Sequence, residues 1–224
     1  MKRRAILLTL VCLSLIFSAG TAYASAALDL LKSQENVVRK ILVKPTQRKT
    51  PEHTAKENEL RKTINQLFDF QELGKRALVD HWATLSSTQQ GEFIDLLQRL
   101  IERNYLLKIT KANTFTLLWF PELTGSDFLT ERFKIKSNKY KSSIQLKMMQ
   151  KAGKWVVFDM VIDDVSLLEN YKSQFNKIIN EKGFDRLLKK MRKKLKELEG
   201  DDSKSGDLDA SSAIKSKKKA KADD

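Results

Sequence analysis

Apolar residues recur at helical spacing from Leu28 to Val43, where Leu28, Leu31, Val38, Ile41 and Leu42 gather near one side. Pro45 and Pro51 bracket a polar connection after it, read as a linker. Leu60, Ile64 and Leu67 predict a second helix that runs into Phe68-Asp69-Phe70, and Leu73, Ala77, Leu78 and Trp82 predict a third. Ser86 with Gln89, or Ser87 with Gln90, is a capping-box start. It opens a long fourth helix whose stripe is Phe93, Leu97, Leu100, Ile101 and Tyr105.

The period changes from helical to alternating after Lys111. Phe115, Leu117 and Trp119 alternate in one strand, Phe133 and Ile135 in a second, and Tyr140, Ile144, Leu146 and Met148 in a third. Ser137-Asn138-Lys139 and Lys151-Ala152-Gly153-Lys154 read as turns, so consecutive strands are expected to pair as antiparallel hairpins. In Trp155–Ile162, strict alternation puts Trp155, Val157 and Val161 on one face and Val156, Phe158, Met160 and Ile162 on the other. A strand apolar on both faces is expected to be covered on each side.

Ser166 with Glu169 is a second capping box, opening a helix with Tyr171, Phe175, Ile178 and Ile179, and Gly183 is a natural C-terminal cap. Asp185 starts a last helix, with Leu187, Leu188, Met191, Leu195 and Leu198 set against a basic face. The pattern predicts an α+β fold, a meander of about four antiparallel strands with helices before and after it, packed on one face of the sheet.

Charge and targeting signals narrow the setting. Met1-Lys2-Arg3-Arg4 precedes an uncharged apolar run from Ala5 to Ala19, and Ala22-Tyr23-Ala24 follows as a small-x-small site. That is a secretory signal peptide over residues 1–24, cleaved after Ala24 or after Ala26, and the run is short of the roughly 20 residues needed to span a bilayer. Loss of Lys2, Arg3 and Arg4 lowers the net charge from +14 to +11. The tail from Gly200 to Asp224 holds six Lys and six Asp, so the whole excess lies on residues 25–199. Nucleic acid is the usual partner of such a balance, but export removes it and leaves anionic lipid headgroups or acidic protein faces. The tail, poor in apolar residues, is expected to be disordered.

Candidate chemistry is sparse. The lone Cys12 lies in the signal segment and there are two His, which excludes a disulfide framework, a Cys/His zinc site and a thiol nucleophile in the mature chain. His53 is read as a solvated loop residue in Pro51-Glu52-His53, and His81 as a packing or capping residue beside Trp82. Asp163-Asp164 reads as a turn before Ser166, since adjacent residues on an extended chain point to opposite faces. No glycine-rich phosphate loop, nucleophile elbow or metalloprotease pattern occurs, and no catalytic residue, metal or cofactor is expected. The bulky stripes are either an ordinary core or the lining of an apolar pocket, and the pattern alone leaves both open.

Two stretches carry a family resemblance. Phe68-Asp69-Phe70, Leu73-Gly74, Trp82, Leu85-Ser86, Phe93 and Tyr105 form the first. Trp155-Val156-Val157-Phe158-Asp159, Val165-Ser166-Leu167, Asn170-Tyr171, Gln174-Phe175 and Gly183-Phe184-Asp185 with Leu187-Leu188 form the second and more specific one. Together, from about Leu28 to Leu195, they resemble the MlaC, or toluene-tolerance, family of periplasmic phospholipid-binding proteins. One departure is Asp164, where the family pattern has glycine before Val-Ser.

The resemblance implies a non-enzymatic periplasmic carrier holding a phospholipid in an apolar pocket between sheet and helices. It also implies exchange with an outer-membrane lipoprotein complex and with an inner-membrane ABC transporter bearing an MCE domain. On that reading the pocket lining is expected from Leu97, Ile101 and Tyr105, from Phe115, Leu117 and Trp119, and from Phe133, Ile135, Ile144, Leu146 and Met148. Trp155, Val157, Tyr171, Phe175 and Ile179 complete it. Three alternatives stand beside this reading: a secreted adaptor whose basic last helix binds an acidic partner, a carrier of a hopanoid-type lipid, and an enzyme acting on lipid through Asp159 or His81.

Overall fold

The computed structural model describes residues 26–43, 46, 50–106, 116–124, 129–136 and 141–200. The expected signal peptide and the charged tail beyond Gly200 lie outside them. Helix α1 spans residues 26–43. Helix α2, Pro51–Asn65, begins inside the stretch that reads as linker: Thr50 accepts from the His53 N–H, and Pro51 occupies the first turn, where its missing N–H costs nothing. His53 is accordingly helical rather than a solvated loop residue. Its Nδ1 lies 2.9 Å from Thr46 Oγ1, and its Nε2 lies 3.3 Å from Glu57 Oε1.

The expected third helix is broken in two. Helix α3, Phe70–Leu78, is capped by Asp69 and stops at Val79, whose φ of 52° leaves the helical region. The short α4, His81–Thr84, follows and carries His81 and Trp82. Helix α5, Ser87–Ile101, starts with the complete Ser86–Gln89 capping box. It passes at Ile101 into a π turn, Glu102–Leu106, so the regular spacing ends before Tyr105. Gly74 sets the α3–α5 approach, since a Cβ there would sit 2.4 Å from Ile94 Cδ1 and 3.0 Å from the Phe93 ring. That explains the Leu73-Gly74 pair without any chemistry.

The sheet is an antiparallel meander in the order β1-β2-β3-β4-β5. Four long strands are β1, Thr116–Thr124; β2, Leu129–Lys136; β3, Lys141–Lys151; and β4, Lys154–Ile162. A two-residue strand, β5 (Val165–Ser166), folds back on β4. The β3–β4 connection is Ala152-Gly153 and the β4–β5 connection is Asp163-Asp164, all four residues with φ between 48° and 75°. Positive φ at both central positions belongs to the turn type whose twist matches the flanking strands. Asp164, where the family pattern has glycine, lies at φ 66°, in the left-handed region that glycine adopts freely. A short polar side chain tolerates that region better than most.

One register feature overturns the face assignment along β4. Lys147 pairs with Asp159 but Met148 pairs with Val157, so Phe158 is an extra residue, a β-bulge. The inserted residue shifts the alternation by one. Trp155 and Val157 therefore share a face with Met160 and Ile162, while Val161 lies with Asp159 on the reverse face. Both faces of β4 are covered, as expected: every residue from Val157 to Ile162 is buried. Phe158 lies beneath the Arg76 guanidinium, 4.4 Å from its ring centre. The outer edge of β4 is also closed, because Val157 exchanges 2.8 Å backbone hydrogen bonds with Leu67 and Asp69.

Helix α6, Leu167–Lys182, is capped by Ser166 and ends at Gly183. Helix α7, Phe184–Gly200, starts one residue before the expected Asp185. The main core joins α3, α5, α6 and α7 to the sheet and reaches Ala27 and Leu31 of α1. A smaller cluster of Ile41, Leu60 and Ile64 binds α1 to α2.

Candidate functional site

The register builds one face in cross-strand rows, apolar apart from the fully buried Glu131. Trp119, Phe133, Ile144 and Ile162 are successive partners across β1 to β4. Glu131, Leu146 and Met160 form the next row, and Leu129, Met148 and Val157 the one after. Directly opposed residues in antiparallel strands project to the same side, so the rows present a common surface. Against it lie Phe70 and Leu73 of α3, Leu97 and Ile101 of α5, and Tyr171 and Phe175 of α6, all in one cluster with the sheet residues.

Eleven expected lining residues have described side chains, and all fall in this cluster. Leu97, Ile101, Met148, Val157, Tyr171 and Phe175 are completely shielded, and Leu146 is buried. Trp119, Ile144, Trp155 and Ile179 are partly buried and pack against the same core. The remaining five expected positions, Phe115 and the side chains of Tyr105, Leu117, Phe133 and Ile135, lie outside the described residues. Tyr171 stacks on Phe175 at 5.1 Å between ring centres, and Phe93 meets Phe175 edge-on at 5.5 Å. Such pairs fix the rings on the helical side more firmly than burial alone.

Sequence reading missed several members of this face. Met160 and Ile162, which strict alternation assigns to the opposite face, are brought onto it by the bulge. Phe70 and Leu73 join it because the Leu67–Asp69 backbone pairs with Val157, a contact between residues 90 or so apart that no local spacing announces. Trp119 Nε1 donates to Glu35 Oε2 at 2.8 Å, which ties α1 to β1. Arg39 Nη2 lies 2.6 Å from the other oxygen of Glu35.

The buried carboxylate of Asp159 is committed to structure. Its Oδ2 accepts from Ser166 Oγ at 2.7 Å and its Oδ1 from the Leu168 N–H at 3.0 Å. Lys147 Nζ lies 3.1 Å from Oδ2. Asp159 and Ser166 therefore share the N-terminus of α6, accepting from two of its four free N–H groups, those of Leu168 and Glu169. Asp69 is similar: it caps α3 through the Glu72 N–H at 2.9 Å and pairs with Lys151. These two family-pattern aspartates hold helix starts in place. Among the described residues no group of three or more His, Cys, Asp and Glu side chains is placed to hold a metal ion. Among them, too, no helix is long and apolar enough to cross a membrane.

The family model of the MlaC protein matches residues 32–193. A curated relative, the intermembrane phospholipid transport system binding protein MlaC of Haemophilus influenzae, is 28% identical over 124 residues, 53% of this chain and 58% of that protein. The match thus spans less than two thirds of that relative. Among solved structures, the phospholipid-binding protein of Ralstonia solanacearum, determined in complex with a phospholipid, superposes with a TM-score of 0.66 at 18% identity. That superposition covers 77% of this chain and 98% of the other, and it establishes a shared α+β fold. With the family model running from within α1 into α7 and over the sheet face between, the chain belongs to the MlaC family.

Proposed function

We propose that this protein is a periplasmic phospholipid carrier, holding acyl chains against the apolar sheet face under α3, α5 and α6. The observation that carries the reading is the continuity of that face: cross-strand rows from β1 to β4 and three helices supply hydrocarbon and aromatic rings in one cluster. The phospholipid transport role of the Haemophilus relative and the bound phospholipid of the Ralstonia protein point the same way. At about 0.8 kcal/mol per methylene, two acyl chains of about thirty methylenes cost on the order of 20 kcal/mol to expose to water. A carrier that matches the bilayer interior removes most of that cost at loading and at release. It needs no bond-making group, which is why Asp159 and Asp69 are free to serve as helix caps.

The carrier would be exported by the signal peptide over residues 1–24, leaving residues 25–199 as the lipid-binding domain. It would exchange lipid with an outer-membrane lipoprotein complex and an inner-membrane MCE-domain ABC transporter, touching anionic membrane surface in passing. The positively charged residues support that last contact, at about 1 kcal/mol per Lys or Arg near such a surface. Pocket lining by Leu97, Ile101, Met148, Val157, Tyr171 and Phe175 is part of the proposal. Solvent extraction of protein purified after native export, followed by mass spectrometry, should find about one phospholipid per chain. Protein that carries no lipid and takes none up from vesicles would refute the reading and favour the adaptor; a polycyclic lipid in its place would identify a hopanoid carrier.

A further inference from the structure

Asn104 lies in the π turn that follows the stripe of Leu97, Leu100 and Ile101 on α5, and like them it is completely shielded from solvent. Those three belong to the main apolar cluster. Among the described residues the Asn104 side chain has no hydrogen-bond partner at either end, neither at Nδ2 nor at Oδ1. A buried amide left in that condition is costly, and an apolar residue of the same size would avoid the cost.

The turn that holds Asn104 is firmly built. Glu102, 4% exposed, opens the π turn Glu102–Leu106. Arg61 Nε of α2 lies 2.8 Å from its Oε2. Asn65 Nδ2 of α2 and Gln98 Nε2 of α5 each donate to its Oε1 at 2.9 Å. Widened turns of this kind are rare and occur frequently at functional sites. Three donors thus hold Glu102 at the head of the widened turn, with the shielded Asn104 two residues further on, just past Leu100 and Ile101 of the apolar cluster.

We propose that Asn104 is a ligand contact for an acylated lipid, its Nδ2–H donating to an acyl ester carbonyl, an inference that rests on the carrier reading above. The ester carbonyl sits where the tails join the glycerol, so it is the polar group that travels deepest with the chains. It is a neutral acceptor without a proton, and a neutral amide meets it without burying a charge. Phosphate and headgroup charges remain closer to water. Oδ1 is then available to a bridging water.

The test separates ester from ether. The full chain, stripped of lipid, is equilibrated with vesicles containing equal amounts of diester and diether phosphatidylglycerol with the same chains, and bound lipid is counted by mass spectrometry. The wild-type protein should prefer the diester roughly three- to tenfold, the usual worth of one buried hydrogen bond. Asn104→Leu should bring the ratio to about 1 while total uptake persists, and should raise the melting temperature of the lipid-free protein. Equal uptake of both lipids by the wild type, as a trapped water on the amide would give, overturns the inference, and so does a preference that survives in Asn104→Leu. The wild-type ratio stands alone should the variant fold poorly. Failure of the wild type to take up either lipid would overturn the carrier reading and this inference with it.

Discussion

Replacing Asp159 by asparagine keeps the shape of a fully buried side chain and removes its charge. The Leu168 N–H, 3.0 Å from Oδ1, still finds an amide oxygen. Ser166 Oγ, donating at 2.7 Å to Oδ2, must turn to accept instead, although it already accepts from the Glu169 N–H. Lys147, 3.1 Å away, loses its counter-charge, but at 26% exposure it can swing to water, so the ion-pair part of the loss is small. A hydrogen bond to a charged group is worth about 1.5–3 kcal/mol, which puts the variant about 2 kcal/mol below the wild type. At about 2–4 °C per kcal/mol for a domain of this size, the melting temperature should fall about 4–8 °C. Urea unfolding followed by circular dichroism gives the free energy, and bound-lipid content measured in parallel should be unchanged. A variant within 0.5 kcal/mol of wild type at equal slope would refute the structural account. Unchanged stability with lost lipid transfer would give Asp159 a direct part in function after all.

Three further substitutions test other parts of the fold. Gly74→Ala gains about 1 kcal/mol of helix propensity but drives a methyl 2.4 Å from Ile94 Cδ1 and 3.0 Å from the shielded Phe93 ring, so chemical denaturation should show a net loss of about 1 kcal/mol. Ala152→Asn places a residue that tolerates left-handed backbone at φ 49° and should raise the urea midpoint by the equivalent of about 0.5 kcal/mol; no change would mean that the turn relaxes. Burial of Lys56 holds its ammonium pKa below 10.5, so the charged form is disfavoured in the folded state relative to the unfolded chain. That penalty is present in full below the folded pKa and is relieved as pH rises through it toward 10.5. Wild type should therefore gain stability relative to Lys56→Met over the window just below pH 10.5, and parallel stability–pH curves for the two proteins would contradict the burial effect.

Local chemistry made some elements readable and long-range contacts hid others. The Ser86–Gln89 box closes within three residues, with the Ser86 N–H donating at 3.0 Å to Gln89 Oε1, so α5 was visible where it begins. The turns at Ala152-Gly153 and Asp163-Asp164 are equally local. The start of α2 was misread because a proline ends a helix in one context and opens one in another, and the side chain of Thr50 decides which. The break at Val79 had no glycine or proline to announce it.

The order of elements, the antiparallel meander and most of the greasy positions were set down by residue order alone, because helical and strand periods, caps and tight turns act over a few neighbours. Which of those positions share a face was settled only by the assembled sheet. The bulge at Phe158 exists only in the pairing with β3, and it moved Met160 and Ile162 to the side of Trp155 and Val157. Burial of Asn104 without a partner among the described residues, and the Glu35–Trp119 bond across 84 positions, likewise depend on packing between distant segments. Alternation in one strand carries no record of its neighbour, so register and enclosure belong to the tertiary structure.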